Sequence, residues 1–178
     1  MIAFRHADPR FPFLRETASP AAGRWNLPGQ LTHCFSDTPD GAWAEFLRHE
    51  EITDPADIPH IRRALWAVQI EDSPVASPRL STRVLTGGRA SWTACQREAN
   101  RLRGAGAPGL TAPSAALVPG GAHGFRVEGG QRPGPPRDGF TIVLFGARPD
   151  LVGWPAAGSG APSDDLLRRV RHFPQPKS

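Results

Sequence analysis

Proline and glycine recur closely enough along this sequence to keep every helix and strand short. The chain has 20 prolines and 19 glycines in 178 residues, and both residue types mark turns and the ends of regular elements. No apolar run approaches the roughly 20 residues that a membrane-spanning helix requires. The sequence therefore predicts a protein without membrane contacts, built from short packed elements that long loops connect.

Hydrophobic periodicity locates the packed elements between these loops. Residues 39–51 predict a helix, because Thr38 can cap its start and apolar residues recur on one face. The other predicted elements are strands at 31–35, 64–71, 110–112 and 140–145 and helices at 57–63 and 90–103, with irregular structure at 1–30, 73–88 and 119–138. This order is typical of a mixed α+β domain with a central β-sheet and flanking helices.

The length of the chain fits one domain with an ordinary core. We assign residues 1–155 to this domain and residues 156–178 to a C-terminal tail. Ser163 can cap a short helix in the tail, and several arginines follow near the end of that helix.

Basic residues exceed acidic ones by 21 to 17, and 20 of the 21 are arginine. The arginine side chain suits bidentate contacts with phosphate or carboxylate, so an anionic ligand fits this composition. A generic basic surface explains the charge equally well. Direct nucleic-acid binding is the least favoured interpretation, since no basic run is interleaved with aromatic residues.

Several classes of protein are disfavoured by what the sequence lacks. Residues 1–10 have no apolar stretch that would serve as a secretory signal, so we expect a cytoplasmic protein. Cys34 and Cys95 are too few for a disulfide framework and are expected to be reduced thiols. The six histidines show no metal-ligand spacing, and no metal site is predicted.

Four polar residues stand out around the first predicted strand and helix. Glu45 and His49 are four residues apart, which places them on one helical face, one turn from each other. Arg24 precedes the strand and Ser36 ends it. Taken singly, each residue is more often a solvated side chain or a cap than a catalytic group.

Together these residues resemble the RES domain family, which is named for its Arg, Glu and Ser. The matching segments are Gly23-Arg24-Trp25-Asn26, Ser36 with the helix 42–49, the Pro-Ser-Ala around Ser114, and the strand 141–145. Each motif is short, but their order and spacing agree over about residues 4–155.

The resemblance implies an ADP-ribosyltransferase-like fold with a cleft that binds NAD as substrate. Members break the bond between nicotinamide and ribose and pass ADP-ribose to phosphate, water or, in some cases, a protein. Many are toxins paired with an Xre-type antitoxin that blocks the cleft. The expected partners are therefore NAD, inorganic phosphate and such an antitoxin.

By the same match, Glu45 is the catalytic carboxylate, because a placed carboxylate stabilises an oxocarbenium-like transition state. Arg24 would hold a phosphate through its planar donor fork, or else form an ion pair with a local carboxylate. His49 would orient Glu45 or bond a ribose hydroxyl, or else be a partly buried histidine bonded to the backbone. Trp25, Cys34, Ser36 and Ser114 would line the NAD site, with Ser114 the stronger candidate of the two serines.

One position departs from the family pattern. Cys34 stands eleven residues before Glu45, where the family usually has tyrosine, and the chain contains no tyrosine. A thiol is a small and weakly hydrogen-bonding substitute. His33 or Phe35 would compensate only if the strand were shifted by one residue, since adjacent strand residues face opposite ways.

Three functions are therefore carried forward from the sequence. The first is a toxin-like enzyme that degrades NAD by phosphorolysis or hydrolysis of the nicotinamide–ribose bond. The second is an ADP-ribosyltransferase that uses the same site to modify a protein. The third is a degenerate RES domain that has lost catalysis together with the tyrosine and acts as a binding module.

Overall fold

The computed structural model describes residues 1–18, 20–71 and 75–173. Within these ranges the strands are β1 Ile2–Ala7, β2 Thr32–Ser36, β3 Arg63–Gln69, β4 Gly109–Pro113, β5 Phe125–Val127, β6 Gln131–Pro133, β7 Phe140–Phe145 and β8 Val152–Gly160. The α-helices are α1 Pro39–His49, α2 Thr82–Leu85 and α3 Trp92–Gly104, and short 3-10 helices cover Pro55–His60, Arg89–Ser91 and Asp164–Arg169. The predicted mixed α+β domain with a central sheet and flanking helices is confirmed.

Six strands form one antiparallel sheet in the order β4-β7-β2-β1-β3-β8. Strand β1 pairs with β3 along its whole length, and β2 does the same with β7. Between β1 and β2, however, Phe4 opposite Ser36 is the one registered pair among the described residues. The sheet is therefore two three-stranded halves that meet at this pair and then diverge.

Helix α1 packs against the sheet close to this junction. Thr38 caps its first turn, since the Thr38 side chain accepts a hydrogen bond from the Gly41 backbone N–H at 3.1 Å. Gly41 itself permits the close approach, because a Cβ there would lie 2.9 Å from the Ser36 Cβ. The apolar stripe of α1 is buried against the 3-10 helix Asp164–Arg169, as its spacing predicts.

Helix α3 packs against the half of the sheet that contains β4 and β7. It begins at Trp92, two residues later than the sequence pattern predicts, and buries Cys95, Ala99 and Leu102 against β4 and β7. Gly109 at the start of β4 is required by packing, because a Cβ would lie 2.2 Å from the carbonyl oxygen of Val143 on β7.

The structure corrects several predictions of irregular structure. Residues 2–7 are strand β1, residues 125–133 form the β5–β6 hairpin, and the predicted loop 73–88 includes α2. Positions 73 and 74 of that loop lie outside the described residues. The hairpin turns at Gly129 and Gly130, which have φ of 59° and 122°, a region that favours glycine.

The C-terminal segment is built into the sheet and the core. The domain boundary predicted after residue 155 falls inside β8, which pairs with β3. The predicted helix after Ser163 is the 3-10 helix, and the Ser163 side chain caps it by accepting from the Asp165 N–H. Leu166 and Leu167 of this helix pack in the same core cluster as α1.

Candidate functional site

A cavity of about 1140 Å³ includes the fork between β1 and β2 in its walls. Residues 4–8 form one wall, residues 32–36 and helix α1 contribute another, and residues 11–18 and 23–26 contribute loop walls. A shallower cavity of about 580 Å³ adjoins it at Glu50 and Arg63 and contains none of the predicted site residues. The divergence of the two sheet halves therefore gives the molecule space for a large ligand.

Glu45 points into this cavity from α1 and is partly buried there. Thr141 on β7 donates a hydrogen bond from its hydroxyl to Glu45 Oε1 at 3.3 Å. Burial raises the pKa of the Glu45 carboxyl, and the positive charges of Arg48 and Arg24 partly oppose that effect. The carboxylate is thus fixed in a poorly solvated position next to guanidinium groups.

His49 lies one turn after Glu45 and also lines the cavity, with an exposed imidazole. A second histidine, His6 on β1, lines the same space, and its Nδ1 is 3.2 Å from the Arg63 NH2 nitrogen. Burial and the Arg63 charge lower the pKa of His6 to about 3. His6 is therefore uncharged at neutral pH and adds no positive charge to the cavity that His49 also lines.

Arg24 lines the cavity, but its guanidinium is engaged with the protein. NH1 donates to the Leu85 carbonyl at 3.1 Å and the Ser91 hydroxyl at 3.1 Å, and NH2 donates to the Gly87 carbonyl at 2.6 Å. These acceptors lie between Leu85, the last residue of α2, and Ser91, which directly precedes α3. Among the described residues no carboxylate forms an ion pair with Arg24, and its contact with a phosphate stays a prediction. The observed contacts hold Arg24 in one wall of the cavity.

The two candidate serines have different positions. Ser36 is buried at the end of β2 and lines the cavity. The Ser114 hydroxyl instead accepts hydrogen bonds from the backbone N–H groups of Ala116 and Leu117, each at 3.2 Å. The neighbours of Ser114, Pro113 and Ala115, line the cavity, whereas Ser114 caps the turn behind them. Ser36 thus lies in the cavity wall and Ser114 behind it, and which serine contacts a ligand stays a prediction.

Cys34 and Trp25 both line the cavity. Trp25 is buried in the core cluster under α3, so one part of its ring packs while another borders the space. The Cys34 side chain is open to the cavity, where crowding by protein atoms raises the pKa of the thiol to about 11. Strand β2 is not shifted by one residue, as the replacement of Cys34 by His33 would require. Cys34 pairs with Val143 and faces the cavity, whereas His33 is buried on the opposite face.

A comparison with protein families bears on this geometry. A family model described as the RES domain matches residues 2–166. The chain belongs to the RES domain family. Of the residue types that give the family its name, Arg24 and Glu45 line the cavity of this RES domain, and Ser114 lies directly behind its wall.

The fold of the RES domain resembles a solved structure. The match is to the toxin chain of the crystal structure of the M. tuberculosis MbcT–MbcA toxin–antitoxin complex, with a TM-score of 0.63 and 15% sequence identity. It covers 94% of this chain and 86% of that chain. No curated protein matches the sequence. Because the sequence identity is 15%, the structural likeness concerns the fold alone.

Sequence reasoning gave no role to several cavity residues, among them Arg5, Arg48, Thr141 and Phe173. Arg5 on β1 bridges the fork by donating from NH1 to the Cys34 carbonyl at 3.4 Å, with its guanidinium 5.7 Å from the centre of the Phe35 ring. No local signal identifies Arg5, because the sequence pattern does not predict β1. No local signal marks Phe173, which is brought to the cavity by the path of the chain after the 3-10 helix.

Two structural features are absent from the described part of the chain. In residues 1–18, 20–71 and 75–173, no helix has both the length and the hydropathy to cross a membrane. The same residues contain no group of three or more His, Cys, Asp or Glu side chains arranged to hold a metal ion.

Proposed function

We propose that this RES domain degrades NAD by cleaving the bond between nicotinamide and ribose, with Glu45 as the catalytic carboxylate. The observation that carries the proposal is the position of Glu45, held by Thr141 in the wall of a large cavity that is otherwise rich in arginine. NAD has a cationic nicotinamide ribose and an anionic pyrophosphate. A carboxylate close to the guanidinium groups of Arg24 and Arg48 is complementary to that charge pattern.

The chemistry follows from this complementarity. The C1′–N bond breaks, its electron pair leaves with nicotinamide, and positive charge develops on the ribose. A carboxylate at that position stabilises the charge. The oxygen of phosphate or water then bonds to C1′ and loses a proton, which gives ADP-ribose phosphate or ADP-ribose. His49, one helical turn away, is available to bond a ribose hydroxyl.

The cavity size and its walls support a dinucleotide ligand. Ligand pockets commonly measure about 300–1,000 Å³, and this cavity of about 1140 Å³ is slightly larger than that range. Aromatic side chains at its walls, such as Phe11 and Trp92, offer faces on which planar bases can stack. Ser36 and Arg5 add polar contacts near the fork.

The biological role that we propose is that of a cytoplasmic toxin with an Xre-type antitoxin as partner. The support is membership of the RES domain family together with the fold shared with a chain of a toxin–antitoxin complex. An antitoxin that covers the cavity would prevent NAD from reaching Glu45.

Glu45→Gln is the variant that tests the activity. It keeps the shape of the side chain and removes the negative charge, so we expect the rate of nicotinamide release from NAD to fall by roughly 10²–10³-fold. The release is followed by chromatography with and without inorganic phosphate. Glu50→Gln is the matched control, because Glu50 is an exposed carboxylate at the rim of the same cavity.

The possible outcomes separate the alternatives. Phosphate-dependent release indicates phosphorolysis, and phosphate-independent release indicates hydrolysis. Label from NAD that ends on a protein indicates a transferase. Binding of NAD without release by the wild-type protein would favour the degenerate binding module, and full activity of Glu45→Gln would refute the role given to Glu45.

A further inference from the structure

Arg48 is a buried guanidinium with incomplete hydrogen bonding. Its side chain is 4% exposed, and NH2 donates to the Gly87 carbonyl at 2.8 Å. The Nε and NH1 atoms are buried and have no partner among the described residues. A buried charged donor without an acceptor carries a large desolvation cost. Such a group is expected where a ligand supplies the missing acceptor.

The charges around Arg48 are predominantly positive. Arg24 donates to the same Gly87 carbonyl at 2.6 Å, so the two guanidinium groups share one acceptor oxygen. Burial, together with the charges of Arg24 and Arg171, lowers the pKa of Arg48 to about 10, and Glu45 opposes this effect. The positive charges of Arg24, Arg48 and Arg171 therefore repel one another, and Glu45 is the carboxylate that opposes this effect at Arg48. An added anion would relieve the repulsion.

An aromatic ring covers Arg48 in this structure. The centre of the Phe173 ring lies 4.5 Å from the Arg48 guanidinium carbon and 4.9 Å from that of Arg89. The backbone preceding Phe173 is anchored, since the Arg171 N–H donates to the Ala116 carbonyl at 2.6 Å. A ring face attracts a cation less strongly than an anion does, so displacement of Phe173 by an anion would be favourable at this position.

We propose that Arg48 is the binding group of a phosphate subsite next to Glu45, and that Phe173 covers this subsite when it is empty. The ligand class is a phosphoryl dianion, because Nε and NH1 are charged donors without an acceptor and phosphate oxygens are strong acceptors for such donors. Inorganic phosphate and the phosphate of a nucleotide share this chemistry. An attack of the bound phosphate on ribose rests on the proposed NAD cleavage. The binding of phosphate to Arg48 does not rest on it.

Calorimetric titration of the full chain with inorganic phosphate, in the absence of NAD, tests the subsite. We expect Arg48→Gln to bind phosphate at least about tenfold more weakly than the wild type, since charge-assisted hydrogen bonds are lost. Arg97→Gln is the matched control, because Arg97 is exposed on α3 and does not line the cavity. A parallel titration with ADP-ribose shows whether a nucleotide phosphate uses the same arginine.

Phe173→Ala provides an independent test that keeps the Arg48 side chain in the protein. Removal of the ring exposes the guanidinium, so we expect phosphate to bind several-fold more tightly than to the wild type. If Arg48→Gln fails to fold, as judged by circular dichroism, this variant decides the question. Wild-type affinity in a folded Arg48→Gln protein, or unchanged affinity in Phe173→Ala, would overturn the proposal.

The two proposals fail in distinguishable ways. Phosphate binding that depends on Arg48, without any release of nicotinamide from NAD, would leave the subsite standing and refute NAD cleavage. Nicotinamide release that depends on Glu45, together with phosphate binding that is indifferent to Arg48 and Phe173, would do the reverse.

Discussion

Glu45 combines a functional position with a cost to stability. Because burial raises the pKa of its carboxyl, the folded protein holds the Glu45 proton more tightly than the unfolded chain does. Through Glu45, a rise in pH above the ordinary carboxyl value therefore lowers the free energy of unfolding. Ionisable groups in this situation are common in sites that bind a ligand or stabilise a transition state.

A pH series of unfolding experiments checks this statement. We expect Glu45→Gln to be more stable than the wild type at pH 7. The difference should shrink as the pH falls through the raised pKa and disappear below the ordinary carboxyl value of 4.5, where both the folded and the unfolded wild type are protonated. Urea unfolding midpoints give the measurement, with Glu50→Gln as control. Equal stability of Glu45→Gln and wild type at pH 7 would contradict the argument.

At the scale of elements, the pairing of β4 with β7 depends on a glycine. A Cβ at Gly109 would lie 2.2 Å from the Val143 carbonyl oxygen, a distance that requires the strand to move. By contrast, a Cβ at Gly104, the last residue of α3, would meet nothing within 4 Å. The same chemical change therefore has opposite consequences at two positions five residues apart.

We expect Gly109→Ala to lower the free energy of unfolding by about 1–3 kcal/mol or more, through overpacking and loss of strand pairing. Gly104→Ala should instead raise it by up to about 1 kcal/mol, because alanine favours the helix and restricts the unfolded chain. Chemical denaturation of both variants provides the comparison. A Gly109→Ala protein as stable as the wild type would show that β4 can shift relative to β7.

At the scale of the whole molecule, the partly buried His6 contributes to the acid stability of the fold. His6 lies on β1, stacks edge-on against Phe46 of α1 with ring centres 5.1 Å apart, and has a pKa of about 3. The unfolded chain binds a proton at His6 near pH 6.5, whereas the folded protein does not. The part of the free energy of unfolding that depends on an uncharged His6 is therefore fully present above pH 6.5 and is lost as the pH falls towards 3.

We expect the wild type to lose about 1.4 kcal/mol per pH unit through His6 over this window. His6→Gln should show a shallower loss of stability between pH 6.5 and 4, although buried His33, whose pKa is about 4, keeps part of the slope. His60→Gln, which changes an exposed histidine, is the control. Parallel acid limbs for His6→Gln and the wild type would refute the assignment of the slope to His6.

The sequence by itself determined the elements whose signals are local. The cap at Thr38 and the apolar stripe of α1 predicted that helix and placed Glu45 and His49 on one face. The strand 140–145 was predicted at its observed limits, and the order of short motifs gave the family. Such signals depend on residues within one or two turns of each other, so they can be recognised in the unfolded chain.

The tertiary structure alone decided the rest. Strand β1 has charged residues in its centre and β8 is rich in glycine, so neither has a strand pattern, and both form because β3 pairs with them on either side. The fork between β1 and β2, the shared acceptor of Arg24 and Arg48, and the cover provided by Phe173 all join residues far apart in sequence. Their positions depend on the packing of the two sheet halves, which no local pattern specifies.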